Sequence, residues 1–331
     1  MRLKLLWLVL FLSPLFLHAQ KREPVNVIFD SDMGPDYDDV GAITLLHAFA
    51  DSGRANILAT IASTKYEGVA AVFSVLNTYF NRPDIPIAVP KGDAIEEKDF
   101  QHWTDTLRAN YEHSINSNDE VADAVDLYRK LLASQPDTSV TIITVGFLTN
   151  IANLLKSEAD DYSPLNGEQL VKKKVKKMVS MAGKFPSGSE FNVAEDAEAS
   201  RYAFSHWNRP LIFSGFEIGE KILAGLPLIN NEEIQGSPVK DVFRISINMR
   251  DEDKNGRKSW DQTAVLVAIA GHEPYYTLKA GHIAVDAKGH NTWSTKNKGQ
   301  YYLVSKTSPS VVENVINEMM MHQPVNNTRQ Q

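Results

Sequence analysis

Cysteine is absent from the 331 residues, so an oxidising compartment would add no disulfide staples and no lipid-modified Cys is possible. An excess of basic charge is missing too. Thirty-four Lys and Arg stand against 41 Asp and Glu, a formal charge of −7, and no general basic field exists to attract a phosphate backbone. Nucleic acid is therefore excluded as an expected partner. The one dense basic cluster, VKKKVKKM at 171–178, reads as a solvated face running into a strand. After the first twenty residues no stretch is long and apolar enough to cross a bilayer, so no membrane partner is expected. Those twenty, MRLKLLWLVLFLSPLFLHAQ, carry Arg2 and Lys4, an apolar run from Leu5 to Leu17 broken by Pro14, and a small residue at Ala19. That is the pattern of a cleavable signal peptide, with an uncleaved anchor the weaker alternative. The expectation is a secreted or periplasmic protein with 1–20 as signal and 21–331 as a single domain.

What is present is an alternation. Short β-branched runs at 25–30, 55–63, 85–90, 140–146, 177–183 and 210–215 read as buried strands, and helical patterns at 38–50, 66–80, 119–134, 147–157 and 196–207 follow most of them. Such alternation predicts an α/β fold with a mostly parallel central sheet flanked by helices. Ligands then sit beyond the carboxyl ends of the strands. After Tyr275 the pattern changes to strand-like pieces and a closing helix near 309–321.

The densest polar feature lies at the first strand's end, where the ten residues DSDMGPDYDD hold five aspartates. Five carboxylates this close repel unless a positive charge gathers them. Gly34 and Pro35 make a turn and Asp38 and Asp39 open a helix, so helix capping accounts for one or two of them. Asp30, Asp32 and Asp36 remain. An oxygen cage for a hard cation such as Ca²⁺ accounts for the set, while spacing alone leaves open an acidic surface turn. The stretch is not an EF-hand, because it follows a strand and lacks the closing glutamate.

FDSDMGPDYDDVGAI resembles the opening motif of the calcium-dependent inosine-uridine-preferring nucleoside hydrolases. Three later segments are similar to that family's motifs in the same order: TVGFLTNIANLL at 144–155, MAGKFPSGSEFNVAEDAEASRYAF at 181–204 and SWDQTAVLVAI at 259–269. The resemblance implies a hydrolase-like catalytic domain that breaks the N-glycosidic bond of a small-molecule nucleoside through an oxocarbenium-like transition state, and a homo-oligomer. It implies that Asp32 is both a Ca²⁺ ligand and the base for a bound water. Asp39, the Val145 carbonyl and Asp261 are implied as further ligands, with Asp30 behind them. Asp38, Glu190 and Asn192 match the ribose-hydroxyl binders, which favours ribosides over 2-deoxyribosides.

The chain departs from the family pattern in three places. The spacer between Gly34 and the Asp pair is two residues longer, so Asp36 is an alternative to Asp38 or Asp39. A short loop between Gly183 and Glu190 removes the Asn that contacts the 5-hydroxyl, with Ser187 or Lys184 as stand-ins. Trp260 replaces the His before the last metal Asp. An indole is no general acid, but it stacks on a base, which leans the expectation towards purine nucleosides. Trp103 is a second stacking candidate and His102 a candidate acid, against bland readings of Trp260 as core packing and His102 as a solvated loop residue. Asn150 reads as a structural brace. Two other classes remain: a haloacid-dehalogenase-type Mg²⁺ phosphatase, suggested by FDSDMG, and a non-catalytic calcium-dependent ribose or nucleoside binder.

Overall fold

The computed structural model describes residues 23–296 and 298–325; the expected signal peptide at 1–20 lies outside the described residues. Thirteen strands form: β1 (Val25–Ser31), β2 (Ala55–Ala62), β3 (Ile87–Val89), β4 (Ala122–Asp123), β5 (Val140–Thr144), β6 (Val175–Met181), β7 (Ser187–Ser189), β8 (Leu211–Ser214), β9 (Leu223–Ala224), β10 (Arg257–Lys258), β11 (Tyr276–Val285), β12 (His290–Ser294) and β13 (Gln300–Ser305). Eleven join one sheet in the order β4, β3, β2, β1, β5, β6, β8, β13, β11, β12, β7. Pairing is parallel from β4 through β13 and antiparallel across β11, β12 and β7. The sheet is thus the mostly parallel one that the alternation predicts.

Burial on both faces explains the apolar runs. In β1, Val27 and Phe29 enter one apolar layer and Ile28 the other, as the two-residue period requires. Helices Asp38–Asp51, Val69–Tyr79, Pro238–Met249 and Trp260–Ala270 supply the first layer; Ala124–Ser134, Thr149–Lys156 and Ala197–His206 supply the second. The helix expected from 119 starts at Ala124, because the Asp123 carboxylate accepts from Val125 N and Asp126 N and so caps it there. The basic run ends the helix Gly167–Lys174 and leads straight into β6. Among the described residues, no helix is long and apolar enough to cross a membrane.

Strand order reverses between β1, which leads outward through β2, β3 and β4, and β5, which leads the other way. Crevices beyond the carboxyl ends of strands at such a reversal are where open α/β sheets bind ligands. The five aspartates leave the end of β1 at that point.

Candidate active site

Asp30, one residue before the end of β1, is fully buried and accepts from Tyr128 Oη at 2.8 Å and Asn150 Nδ2 at 3.1 Å. Burial pushes its carboxyl up to about 7, against those two hydrogen bonds. Asn150 also donates to the Ala62 carbonyl at 2.7 Å, so it braces β1 and β2 together. The chain then turns at Gly34, whose φ of +138° suits glycine and whose absent Cβ leaves room for Tyr66. Asp38 and Asp39 follow in the first turn of the helix Asp38–Asp51, where free N–H groups and the dipole favour negative charge.

Those two carboxylates take different partners. Asp39 Oδ1 accepts from Ser31 Oγ at 2.6 Å, while its Oδ2 is buried and has no partner among the described residues. Asp38 Oδ2 accepts from the backbone N–H of Trp260 at 3.1 Å and Asp261 at 3.2 Å, fastening the start of the helix Trp260–Ala270 to that of Asp38–Asp51. Asp38, Asp39 and Asp261 consequently each offer an oxygen within 4.8 Å of the others. Asp32 faces the same cleft, but the three-carboxylate group contains Asp38 where the family pattern implied Asp32. Burial, reinforced by neighbouring Asp38, Asp39 and Asp32, holds the Asp261 carboxyl well above the usual range. Asp39 rises to about 7, chiefly through burial and then Asp36. An orphaned buried oxygen within a set of carboxylates that resist ionising is what a hard, oxygen-seeking cation would satisfy. The residues present fit one.

Val145 lies one residue past β5, its N–H bonded to the Asp30 carbonyl at 2.8 Å. A Cβ on the next residue, Gly146, would meet the Asp32 nitrogen and Ser63 Oγ at 2.5 Å, so only glycine lets this loop lie against Asp32. The Val145 carbonyl accepts from Asn192 Nδ2 at 2.9 Å, and Asn192 also donates to Met181 O at 3.2 Å. Glu190 caps the helix Phe191–Glu195, accepting from Asn192 N at 2.8 Å and Val193 N at 3.3 Å, and also holds Gly183 N at 2.9 Å. Glu190 and Asn192, two of the three expected sugar binders, thus hold the scaffold while lining a cleft of about 410 Å³ with the third, Asp38, and with Asp32, Val145, Trp260 and Asp261.

Trp260 is half-buried, donates from Nε1 to Phe216 O at 2.9 Å and lies 5.3 Å from the Phe216 ring. The other aromatic candidate is corrected. Trp103 is fully buried in the apolar core and does not line the cleft, because an indole on the inner side of the helix Trp103–Asn110 packs inward. His102 is corrected as well: its side chain is 75% exposed, pairs with Asp105 at 3.1 Å and stands outside the cleft. Phe100 and Glu97, from the same loop, reach the rim instead. Of the two loop stand-ins, Ser187 Oγ meets His290 Nε2 at 3.0 Å on the surface, and Lys184 Nζ lies 4.8 Å over the Phe216 ring; neither lines the cleft.

Arg257 escaped the sequence reading. This arginine is buried in the cleft wall, bridges Asp36 and Asp38, and stands between the rings of Tyr37 and Trp260 at 4.9 and 5.0 Å. Tyr37 Oη in turn donates to Asp253 Oδ2 at 2.7 Å. The signal was the charge imbalance itself, since five clustered carboxylates call for a protein cation as readily as for a metal.

Residues 27–321 match the family described as inosine-uridine preferring nucleoside hydrolase. Among curated proteins none matches the chain. Solved structures share the fold at low identity. A plant nucleoside hydrolase is 20% identical with a TM-score of 0.69, covering 90% of this chain and 99% of its own. A purine-preferring ribonucleoside hydrolase from Gardnerella vaginalis is 17% identical with a TM-score of 0.69, over 89% and 98%. An inosine-uridine preferring nucleoside hydrolase from Bacillus anthracis is 13% identical with a TM-score of 0.68, over 90% and 99%.

Proposed function

The chain belongs to the inosine-uridine preferring nucleoside hydrolase family, an enzyme family acting on N-glycosyl bonds, and from that premise we propose that it hydrolyses purine-leaning ribonucleosides to free base and ribose with the help of Ca²⁺. The observation that carries the reading is the buried group of Asp38, Asp39 and Asp261, with its orphaned Asp39 oxygen, beside a cleft lined by Trp260. Family members are generally calcium-dependent. Asp39, Asp261, Asp32 and the Val145 carbonyl would hold the ion, which when bound supplies positive charge that makes a water more acidic. Haloacid-dehalogenase-type phosphatase chemistry leaves the late segments around Asn192 and Asp261 without a role.

The chain's own residues perform the rest. Asp32, which lines the cleft beside Asp38, Val145 and Asp261, accepts the proton of the attacking water. Asn192, its amide nitrogen already committed to Val145 and Met181, offers its Oδ1 to a sugar hydroxyl. Trp260 stacks on the departing base. No histidine lines the cleft among the described residues, so stacking takes the place of imidazole help, and this favours purines, whose larger rings gain most from it.

Incubating the protein with a nucleoside panel, with and without Ca²⁺, and measuring free ribose tests the reading. Release from inosine, guanosine or adenosine that stops on chelation is expected, and Asp32→Asn should lower turnover by at least roughly 10²-fold, the usual loss with a general base. Uridine outpacing inosine would overturn the purine preference, and calcium-independent release the role of the ion.

A further inference from the structure

Among the described residues three cationic side chains line the cleft, those of Arg250, Arg257 and Lys258. Two are committed. Arg250 Nη1 pairs with Glu252 at 3.1 Å, and Arg257 is buried against Asp36 and Asp38. Lys258 makes no ion pair or side-chain hydrogen bond among the described residues, and its Nζ stands 5.6 Å over the Trp260 ring. The backbone beneath it is fixed. Lys258 pairs with Leu223 across β10 and β9, the N–H of Ser259 donates to Ile222 O at 2.9 Å, and those of Trp260 and Asp261 donate to Asp38. A half-buried ammonium without a counter-ion is available to a ligand that enters the cleft.

Hydrolysis of an N-glycosidic bond sends the bond's electron pair onto the base. Stacking on Trp260 orients that base but places no donor at the ring nitrogen where the charge gathers. A base packed on the indole at roughly 3.5 Å brings its edge within reach of Nζ, because the four-carbon stem of a lysine is flexible. We propose that Lys258 is a further catalytic residue: its ammonium donates a hydrogen bond to the departing purine and stabilises the negative charge that develops there. The inference rests on the hydrolase reading and adds a donor at its leaving group. Water's oxygen bonds to the anomeric carbon and its proton goes to Asp32. The electron pair of the broken C–N bond stays on the base, which takes a proton from solvent after it leaves. A donor aimed at charge that exists only in the transition state lowers the barrier rather than tightening binding, so its loss falls on kcat.

The test measures kcat and KM on calcium-loaded protein for inosine and for p-nitrophenyl riboside, whose leaving group is stable as an anion and needs little help. Lys258→Met keeps an unbranched stem and loses the charge. Inosine turnover should fall by at least about tenfold, the scale of removing a hydrogen bond to a charged group, mostly in kcat, while turnover of p-nitrophenyl riboside changes by less than about threefold. Lys258→Arg, which keeps the charge, should recover inosine turnover to within about threefold of wild type. Lys258→Gln repeats the measurement should the methionine variant not fold. Equal losses on the two substrates, unchanged inosine turnover in the uncharged variant, or an arginine variant as slow as the uncharged one overturns the inference and leaves the hydrolase reading standing. A wild type that releases neither hypoxanthine nor nitrophenolate overturns that reading and the inference with it.

Discussion

At the scale of single residues, the site was readable where chemistry demands a particular side chain. The aspartates at 30, 32, 38 and 39 were conspicuous because clustered carboxylates need an explanation, and the structure gathers them at the end of β1. Arg257 was not conspicuous: its carboxylate partner Asp38 lies 219 positions away, and nothing local marks one arginine as buried. Trp103 failed for a related reason, since only tertiary packing decides whether an indole in a polar loop turns to a ligand or to the core. Trp260 carries the residue-scale prediction. Trp260→Ala should weaken hydrolysis of inosine by about 10- to 100-fold, in line with the roughly 1 to 3 kcal/mol that loss of an aromatic contact removes. The thermal midpoint should move far less, because the ring is only half-buried and holds a single backbone partner, Phe216. Steady-state rates and melting curves on one preparation check this; a large loss of stability with kcat/KM intact would make Trp260 core packing.

At the scale of elements, long strands and helices were legible from periodicity, and the shortest were not. Ser187–Ser189 pairs with β12 and adds hydroxyl contacts to His290, with no β-branched residue to announce a strand. The helix Asp38–Asp51 joins two tasks. It presents Asp38 and Asp39 at its start and, near its end, buries His47 against Phe80, with ring centroids 4.5 Å apart and Asn77 Oδ1 at 3.2 Å. Burial lowers the His47 pKa to about 3, with the Arg82 and His322 charges acting the same way and Asn77 and Asp51 opposing. The unfolded chain protonates a histidine near 6.5, so it binds more protons than the native state between those values. Stability contributed by neutral His47 is therefore complete above about pH 6.5 and lost as pH falls towards 3. Asp30, raised to about 7, has the opposite sign, and comparison with a His47→Gln variant cancels it. In urea titrations from pH 7 to 4.5 the wild-type midpoint should fall more steeply than the variant's. Parallel curves would mean that His47 already carries its proton in the native state.

At the scale of the whole molecule, the carboxylates and the carbonyl that face the candidate cation position come from four separated segments: the end of β1, the start of Asp38–Asp51, the loop after β5 and the start of Trp260–Ala270. Sequence order could identify these segments, but not that Asp38 would tie the last to the second through backbone N–H groups. A cation held by Asp39 and Asp261 would bind the native state and not the unfolded chain, in which positions 39 and 261 are far apart. Mass action then sets the size of the effect: at a free Ca²⁺ concentration 100 times the dissociation constant the native state gains about 2.7 kcal/mol. For a chain of this size that amounts to a rise in Tm on the order of 5 °C. Without the ion, the buried carboxylates must be protonated or repel one another, so the apo protein should melt lower at pH 8 than at pH 6 and the loaded protein should largely lose that difference. Scanning fluorimetry across a Ca²⁺ series, with Mg²⁺ as comparison, measures both effects. A Tm indifferent to Ca²⁺ would mean that Arg257 and protons alone balance the cluster.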